Sequence, residues 1–305
     1  LEGASNVVIE NNKFNAGSDS HGICISSNAV SKNVKVINNV INATGGDGIS
    51  VTGNQSNIVI SGNTITNVAG KAGVLVSCFE KDPIRVDQET TGPHDIVVTD
   101  NKIDTITTGC AIYFIGTYGT YIKGNSLSNS YLEGICLDGG CIGTYFAENE
   151  VSYCSKIGGL PGVSVDNGIY NIIDNNKVHN NGASGIKLVR TALGNIVVNN
   201  TCYDNSVNTF NVDNQRNDET AGILIRAQKV DAVDGDNIDG TGSNGNLVIN
   251  NTIYGSHDAA INIDLNSETG SCSGNTVMYN NIKGNYDFSV LDSSTSANTV
   301  KNNIK

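Results

Sequence analysis

An asparagine two residues ahead of an apolar side chain recurs along the whole chain. It stands at Asn12, Asn39, Asn63, Asn101, Asn125, Asn149, Asn176, Asn200, Asn251, Asn280 and Asn302, at intervals of 27, 24, 38, 24, 24, 27, 24, 51, 29 and 22 residues. Such a period describes a unit that stacks on copies of itself. Each unit carries two further landmarks. A short aliphatic run precedes the asparagine, as in Val7-Val8-Ile9, Ile58-Val59-Ile60, Ile96-Val97-Val98, Ile196-Val197-Val198 and Leu247-Val248-Ile249. A segment alternating with period two follows it: Ile23/Ile25, Ile49/Val51, Val74/Val76, Ile112/Phe114, Ile135/Leu137, Val163/Val165, Ile186/Leu188, Ile223/Ile225, Ile261/Ile263 and Phe288/Val290.

Period-two alternation is the mark of a strand with one buried face. No run with a period of 3.6 competes with it, so the chain reads as all-β. A unit near 24 residues is too short for a four-stranded propeller blade and lacks the leucine frame of a leucine-rich repeat. It fits one coil of a parallel β-helix, and about ten coils at ~4.8 Å per coil make a rod of roughly 50 Å. The repeated asparagine is expected to sit at a corner, tolerating left-handed backbone and stacking as a ladder with its copies. The expectation is one domain over 1–305, interrupted by insertions at 78–94, 203–220 and 227–245.

The net charge of −12 argues against nucleic acid or an anionic membrane as partner, because both require a basic surface. No apolar run reaches the ~18 residues of a membrane-spanning helix. No signal peptide is visible at Leu1. The eight cysteines form no Cys-x-x-Cys pair, which disfavours zinc. Cys24, Cys110 and Cys136 adjoin strand phrases and are expected in the core, with Cys136–Cys141 or Cys110–Cys136 as candidate disulfides.

Candidate chemistry falls in columns, one residue per coil. The position after each second strand reads Ser26, Thr52, Ser77, Ile115, Asp138, Asp166, Val189, Arg226, Asp264 and Leu291. Asp138 and Asp166 belong to adjacent coils, and two carboxylates one coil apart raise one pKa, which suits acid–base catalysis. Lys187, Arg190 and Arg226 lie close in the repeat as bases or clamps for a carboxylated sugar, and Glu133 and Asp264 flank the pair as substrate contacts. His179, Tyr203 and Tyr254 form a second column, offering aromatic faces to sugar rings. Asp231, Asp234, Asp236 and Asp239 crowd one loop and, like the Asp138/Asp166 pair, are a candidate Ca²⁺ site, although the pattern is not that of an EF-hand.

These Asn-x-hydrophobic and Gly-Ile-x-Val coils resemble the right-handed parallel β-helix superfamily of pectate lyases, polygalacturonases, mannuronan epimerases and phage tailspikes. The resemblance spans nearly the entire chain and is specific for fold. It implies a long lateral face that binds or processes acidic or complex polysaccharides, and an extracellular, cell-surface or virion location. No family's catalytic motif is complete. Ser20–Ser27, SHGICISS, is similar to the His-containing segment of polygalacturonases but has neither its preceding Asp pair nor its Arg-Ile-Lys. Gly92–Asp95, GPHD, is similar to the Asp-Pro-His of mannuronan epimerases, with Gly92 in place of the aspartate. The expected function is therefore a lyase or glycoside hydrolase. The alternative is a non-catalytic glycan-binding, adhesin or tailspike-like module. The family's usual opening segment and capping helix are not seen, so the expectation is either a fragment of a longer protein or solenoid ends covered by a second copy or a capping partner.

Overall fold

The structure, a computed structural model, describes the chain apart from residues 27, 79–91, 207–219, 229–241, 256–258, 267–269, 285–287 and 295–296. All its regular elements are strands, and they assemble into three parallel sheets. The first holds eleven strands, from Ser5–Glu10 to Thr299–Lys301, and the second ten, from Lys13–Asn15 to Asn281–Lys283. The third holds ten, from Ile23–Ile25 to Phe288–Asp292. Each strand inside a sheet pairs with its counterpart one coil before and one coil after, and the end strands pair on one side, giving ten three-stranded coils and a final first-sheet strand. No described helix is long and apolar enough to cross a membrane.

Alternation determines what lies inside. In the third sheet Ile112, Phe114, Ile135, Leu137, Val163, Val165, Ile186 and Leu188 are fully buried and join one continuous core with the inward residues of the other sheets. The last coil departs from the expected register. Val290, not Phe288, pairs with Ile261, and Asp292 pairs with Ile263. The end-of-strand column therefore passes from Asp264 towards Ser293 rather than Leu291.

The doubled asparagines of the repeat have separate tasks. The residue ahead of the anchor takes the left-handed conformation, with φ of 58° at Asn11, 54° at Asn38 and 52° at Asn175. The anchor itself does not. Its side chain points inward and completes the hydrogen bonding of the corner. The Oδ1 of Asn200 accepts the backbone N–H of Asn176 at 2.9 Å and its Nδ2–H at 2.9 Å, while Asn176 Nδ2 also donates to the Phe146 carbonyl. The same exchange runs from Asn12 through each anchor to Asn303. The ladder thus ends on Asn303, one residue beyond the expected Asn302, which occupies the left-handed slot with φ of 55°. A second ladder was not anticipated. Asn171, Asn195, Asn246, Asn275 and Asn298 repeat the exchange at the corner between the third sheet and the next coil's first strand.

All eight cysteines are free thiols. Cys141, Cys154, Cys202 and Cys272 join the continuous core, and Cys78 is fully buried as well. Cys110 is buried as expected, on the inward parity of Ile112, with its thiol donating to Glu133. Cys24 and Cys136 instead occupy the outward position of their strands, because the alternation that buries Ile23/Ile25 and Ile135/Leu137 turns the residue between them outward.

Asn176→Ala removes an acceptor for two donors and a donor for the Phe146 carbonyl, all away from water. It should lower stability by about 2–4 kcal/mol, seen as a lower urea midpoint with an unchanged slope. Ile186→Asp places an unpaired charge in the core and should give no folded protein by far-ultraviolet circular dichroism.

Candidate functional site

The third sheet's outer face carries the charged side chains. Ile115 pairs with Asp138, Leu137 with Val165, and Asp166 with Val189, so Asp138 and Asp166 stand side by side on adjacent coils. Asp138 accepts two hydrogen bonds, from the Tyr113 hydroxyl at 2.9 Å and the Gly139 N–H at 2.6 Å. Tyr113 escaped sequence reading, although the alternation Ile112/Phe114 already turned it outward.

Asp166 is held differently. Its Oδ2 meets Arg190 Nη1 at 2.9 Å, while its Oδ1 is buried without a hydrogen-bond partner. Burial, reinforced by the neighbouring Asp138, pushes its pKa up to about 7 against the pull of Arg190 and Lys187. The carboxyl therefore exchanges its proton near neutrality. Arg190 takes φ of 61°, in a slot that glycine fills on two earlier coils at Gly116 and Gly139 and asparagine fills at Asn167. A long side chain there costs on the order of 1–2 kcal/mol, and such strain gathers where a side chain must be aimed. Arg190 Nε is also buried without a partner.

Lys187 projects outward between Ser164 and Leu224 and is 4% exposed. Its charge acts on Glu133, whose pKa burial raises. Glu133 Oε2 accepts the Cys110 thiol at 3.4 Å. Burial likewise holds the Cys110 and Cys136 thiols well above their usual range, so they are poor nucleophiles. Glu133, Asp138, Asp166, Lys187 and Arg190 thus form one electrostatically coupled cluster over three successive coils.

Other expected residues lie elsewhere. Arg226 is fully buried and its Nη2 meets Asp264 Oδ2 at 2.6 Å. Val189 separates this pair from Asp166 in the column. Arg226 and Asp264 therefore form a closed ion pair rather than an open clamp for substrate. His179, Tyr203 and Tyr254 belong to the second sheet, not the third. Their centroids lie 4.5 and 4.9 Å apart with planes 7° and 10° from parallel, so each ring covers its neighbour and mainly edges are left for a ligand. His179 Nε2 further meets Glu150 at 3.0 Å. His94 of the GPHD segment stacks on Tyr118 along the first sheet, away from the carboxylates.

Calcium fits the carboxylate pair poorly. Ca²⁺ takes six to eight oxygens, whereas Asp166 is bound to a guanidinium and Asp138 to two donors. No group of three or more His, Cys, Asp or Glu suited to a metal occurs among the described residues. Asp231, Asp234, Asp236 and Asp239, and most of the three insertions, lie outside the described residues.

Fold and site together define a parallel β-helix with neighbouring carboxylates and cations on one lateral sheet. The chain belongs to the family described as right handed beta helix region, which matches residues 1–83 and 84–226. Among solved structures it is similar to a single-substitution variant of the periplasmic alginate epimerase AlgG, with TM-score 0.62 and 16% identity over 97% of this chain and 74% of that one. It is also similar to DFA-IIIase from Arthrobacter chlorophenolicus A6 in complex with GF2, with TM-score 0.58 and 14% identity over 94% of this chain and 70% of that one. At these identities the likeness is one of fold. No curated protein matches the chain by sequence.

The raised pKa of Asp166 makes a signed prediction. The folded state holds the proton more tightly than the unfolded chain, so the contribution is present below the ordinary aspartate value of 3.8 and is lost as pH rises through about 7. Asp166→Asn removes this titration. The stability of the variant relative to the parent should climb between about pH 4 and pH 7, whatever constant offset follows from losing the Arg190 ion pair. Thermal melts across that range check it, and a flat difference would contradict the assignment.

Proposed function

We propose that this protein cleaves an acidic or complex glycan on the outer face of its third sheet, using Asp166 as the proton donor. The observation that carries the reading is Asp166 itself. One oxygen is fixed by a guanidinium held in left-handed backbone, the other is buried and unbonded, and the group titrates near neutrality beside a second carboxylate. That second carboxylate stands about one coil spacing away, ~4.8 Å. The separation is close to the ~5–5.5 Å used when one carboxyl protonates the leaving oxygen and the other attacks the sugar carbon. In such a step Asp166 gives its proton to the glycosidic oxygen, Asp138 forms a bond to the anomeric carbon as the leaving sugar departs, and water then releases the product. Lys187 and Arg190 supply the positive charge that an acidic polymer needs on a chain of net charge −12. The fold shared with an alginate epimerase and with DFA-IIIase supports a carbohydrate ligand, and the protein would act where such polymers are met, outside the cytoplasm or at a surface.

The two cations favour a second reading, β-elimination from a uronate, in which a base removes the proton beside the carboxylate and Lys187 or Arg190 stabilises the enolate. Product analysis separates the two readings: elimination creates a double bond absorbing in the ultraviolet, whereas hydrolysis creates reducing ends alone.

On a panel of pectate, alginate and neutral glycans, Asp166→Asn should reduce kcat by about 10²–10⁴-fold with little change in binding. Under hydrolysis the parent's kcat should fall as pH rises through about 7, because the donor then loses its proton. If no polymer is turned over and Asp166→Asn binds glycan like the parent, the protein is a binding module and Asp166 has no chemical role.

A further inference from the structure

A concave feature lies on the same sheet, nearer the N-terminus than the carboxylate cluster. A cavity of about 400 Å³ opens over the first four coils, within the size range of small-ligand sites. Its floor is made where the outward column turns small, with Ser50 held between Cys24 and Leu75. Its wall is a corner where His21, Asp47 and Lys71 come together. The wall is tightly built. His21 Nδ1 accepts the backbone N–H of Asp47 at 2.9 Å, and Asp47 Oδ1 accepts the Ala72 N–H at 2.9 Å. Gly70 packs against the corner below, where a Cβ would come within 2.4 Å of the Asp47 nitrogen. Because Nδ1 is committed as an acceptor, the neutral imidazole carries its proton on Nε2 and presents a donor. Asp47 is 3% exposed, and burial raises its pKa.

The cavity is continuous with the carboxylate column. Ile115 lines it, pairs with Ser77 on one side and pairs with Asp138 on the other. The floor at Ser50 lies three coils before Asp138, or ~14 Å at one strand spacing per coil.

We propose that this cavity is a sugar-binding subsite that captures a carboxylated ring of the same glycan several rings away from the one that reacts at Asp166. The inference rests on the reading that the third sheet is the substrate face. A sugar ring has an apolar face and a polar rim, and the cavity offers Leu75 and Ile115 as apolar surface, the hydroxyls of Ser50, Thr52 and Ser77 as neutral hydrogen-bonding groups, and its cationic donor, Lys71, on one wall. The Lys71 ammonium and His21 Nε2–H are the partners for the sugar carboxylate, and the Asp47 carboxyl can accept from a hydroxyl. Occupation of both places fixes the polymer's direction along the rod.

The test uses uronate oligosaccharides of increasing length and matched neutral oligosaccharides. It compares kcat/KM, and binding by calorimetry, for the parent, Ser50→Trp and Lys71→Ala. The first variant fills the cavity, and the second removes an exposed rim charge without touching the core. Circular dichroism confirms that both are folded. The parent should gain at least tenfold in kcat/KM once the chain is long enough to reach from Asp166 to Ser50. Ser50→Trp should lose that gain while turning over the shortest substrate like the parent. Lys71→Ala should weaken long uronate chains and leave neutral ones unchanged. A parent with no dependence on length, or a dependence that survives in Ser50→Trp, overturns the subsite. If Asp166→Asn proves fully active but Ser50→Trp still abolishes length-dependent binding, the subsite stands and the assignment of Asp166 falls. If the parent binds no glycan, both fall.

Discussion

The structure depends on a repeated exchange between asparagine side chains at the corners of the coil. A parallel β-helix must turn its backbone sharply three times per coil while keeping that backbone away from water. Strand pairing satisfies the straight segments and leaves the corners. Each anchor asparagine closes this gap with an amide that accepts from the anchor one coil before and donates both to a carbonyl of that same preceding coil and to the anchor one coil on. The left-handed turn is delegated to the preceding residue, so the phrase Asn-Asn encodes two different jobs. With the corners satisfied, the core can be aliphatic throughout, and the outward residues are free to vary.

That freedom is what the third sheet uses. Charges that would be costly in a core are gathered on its outer face at positions where the pleat alternates outward. The face remains sheltered enough that Asp166 and Glu133 lose much of their hydration. Shelter raises both carboxyls, and Arg190 and Lys187 oppose it. The balance leaves Asp166 near neutrality, the useful range for moving a proton. The strain at Arg190 shows one local preference yielding to this arrangement, since glycine is the residue its slot holds on two of the three coils before it.

Much of this was legible in the sequence. Ile112/Phe114 through Ile186/Leu188 declared their inward direction by alternation alone, and ten of the eleven anchor asparagines occupy the places their spacing assigned. Asp138 and Asp166 were recognisable as neighbours because a period of one coil converts sequence distance into a strand step. The ladder through Asn171 was harder to see, because earlier coils meet the same need with Ser31, Gln55, Thr120 and Thr144, leaving no repeated letter. Spacing also does not say which sheet a column lies on. His179, Tyr203 and Tyr254 formed a valid column, but the corner between second and third sheets turns it away from the carboxylates. Arg226 illustrates a related limit of spacing: a cation on an outward column reads as available, yet this one is fully buried and its Nη2 meets Asp264 one coil on.

Because one coil touches only the coils on either side, the rod behaves as a ruler with a fixed tick. Duplicating the coil that carries Ile115 would leave one copy lining the cavity and one beside Asp138, with every corner, the core and the carboxylate cluster chemically unchanged. It would move the cavity and the carboxylate cluster apart by a single strand spacing, ~4.8 Å. Deleting a coil would do the reverse. The length of polymer that such a scaffold measures is therefore a property of coil number and is separable from its chemistry. Evolution, or a designer, can change one by cutting and joining at the asparagine ladder without rebuilding the other.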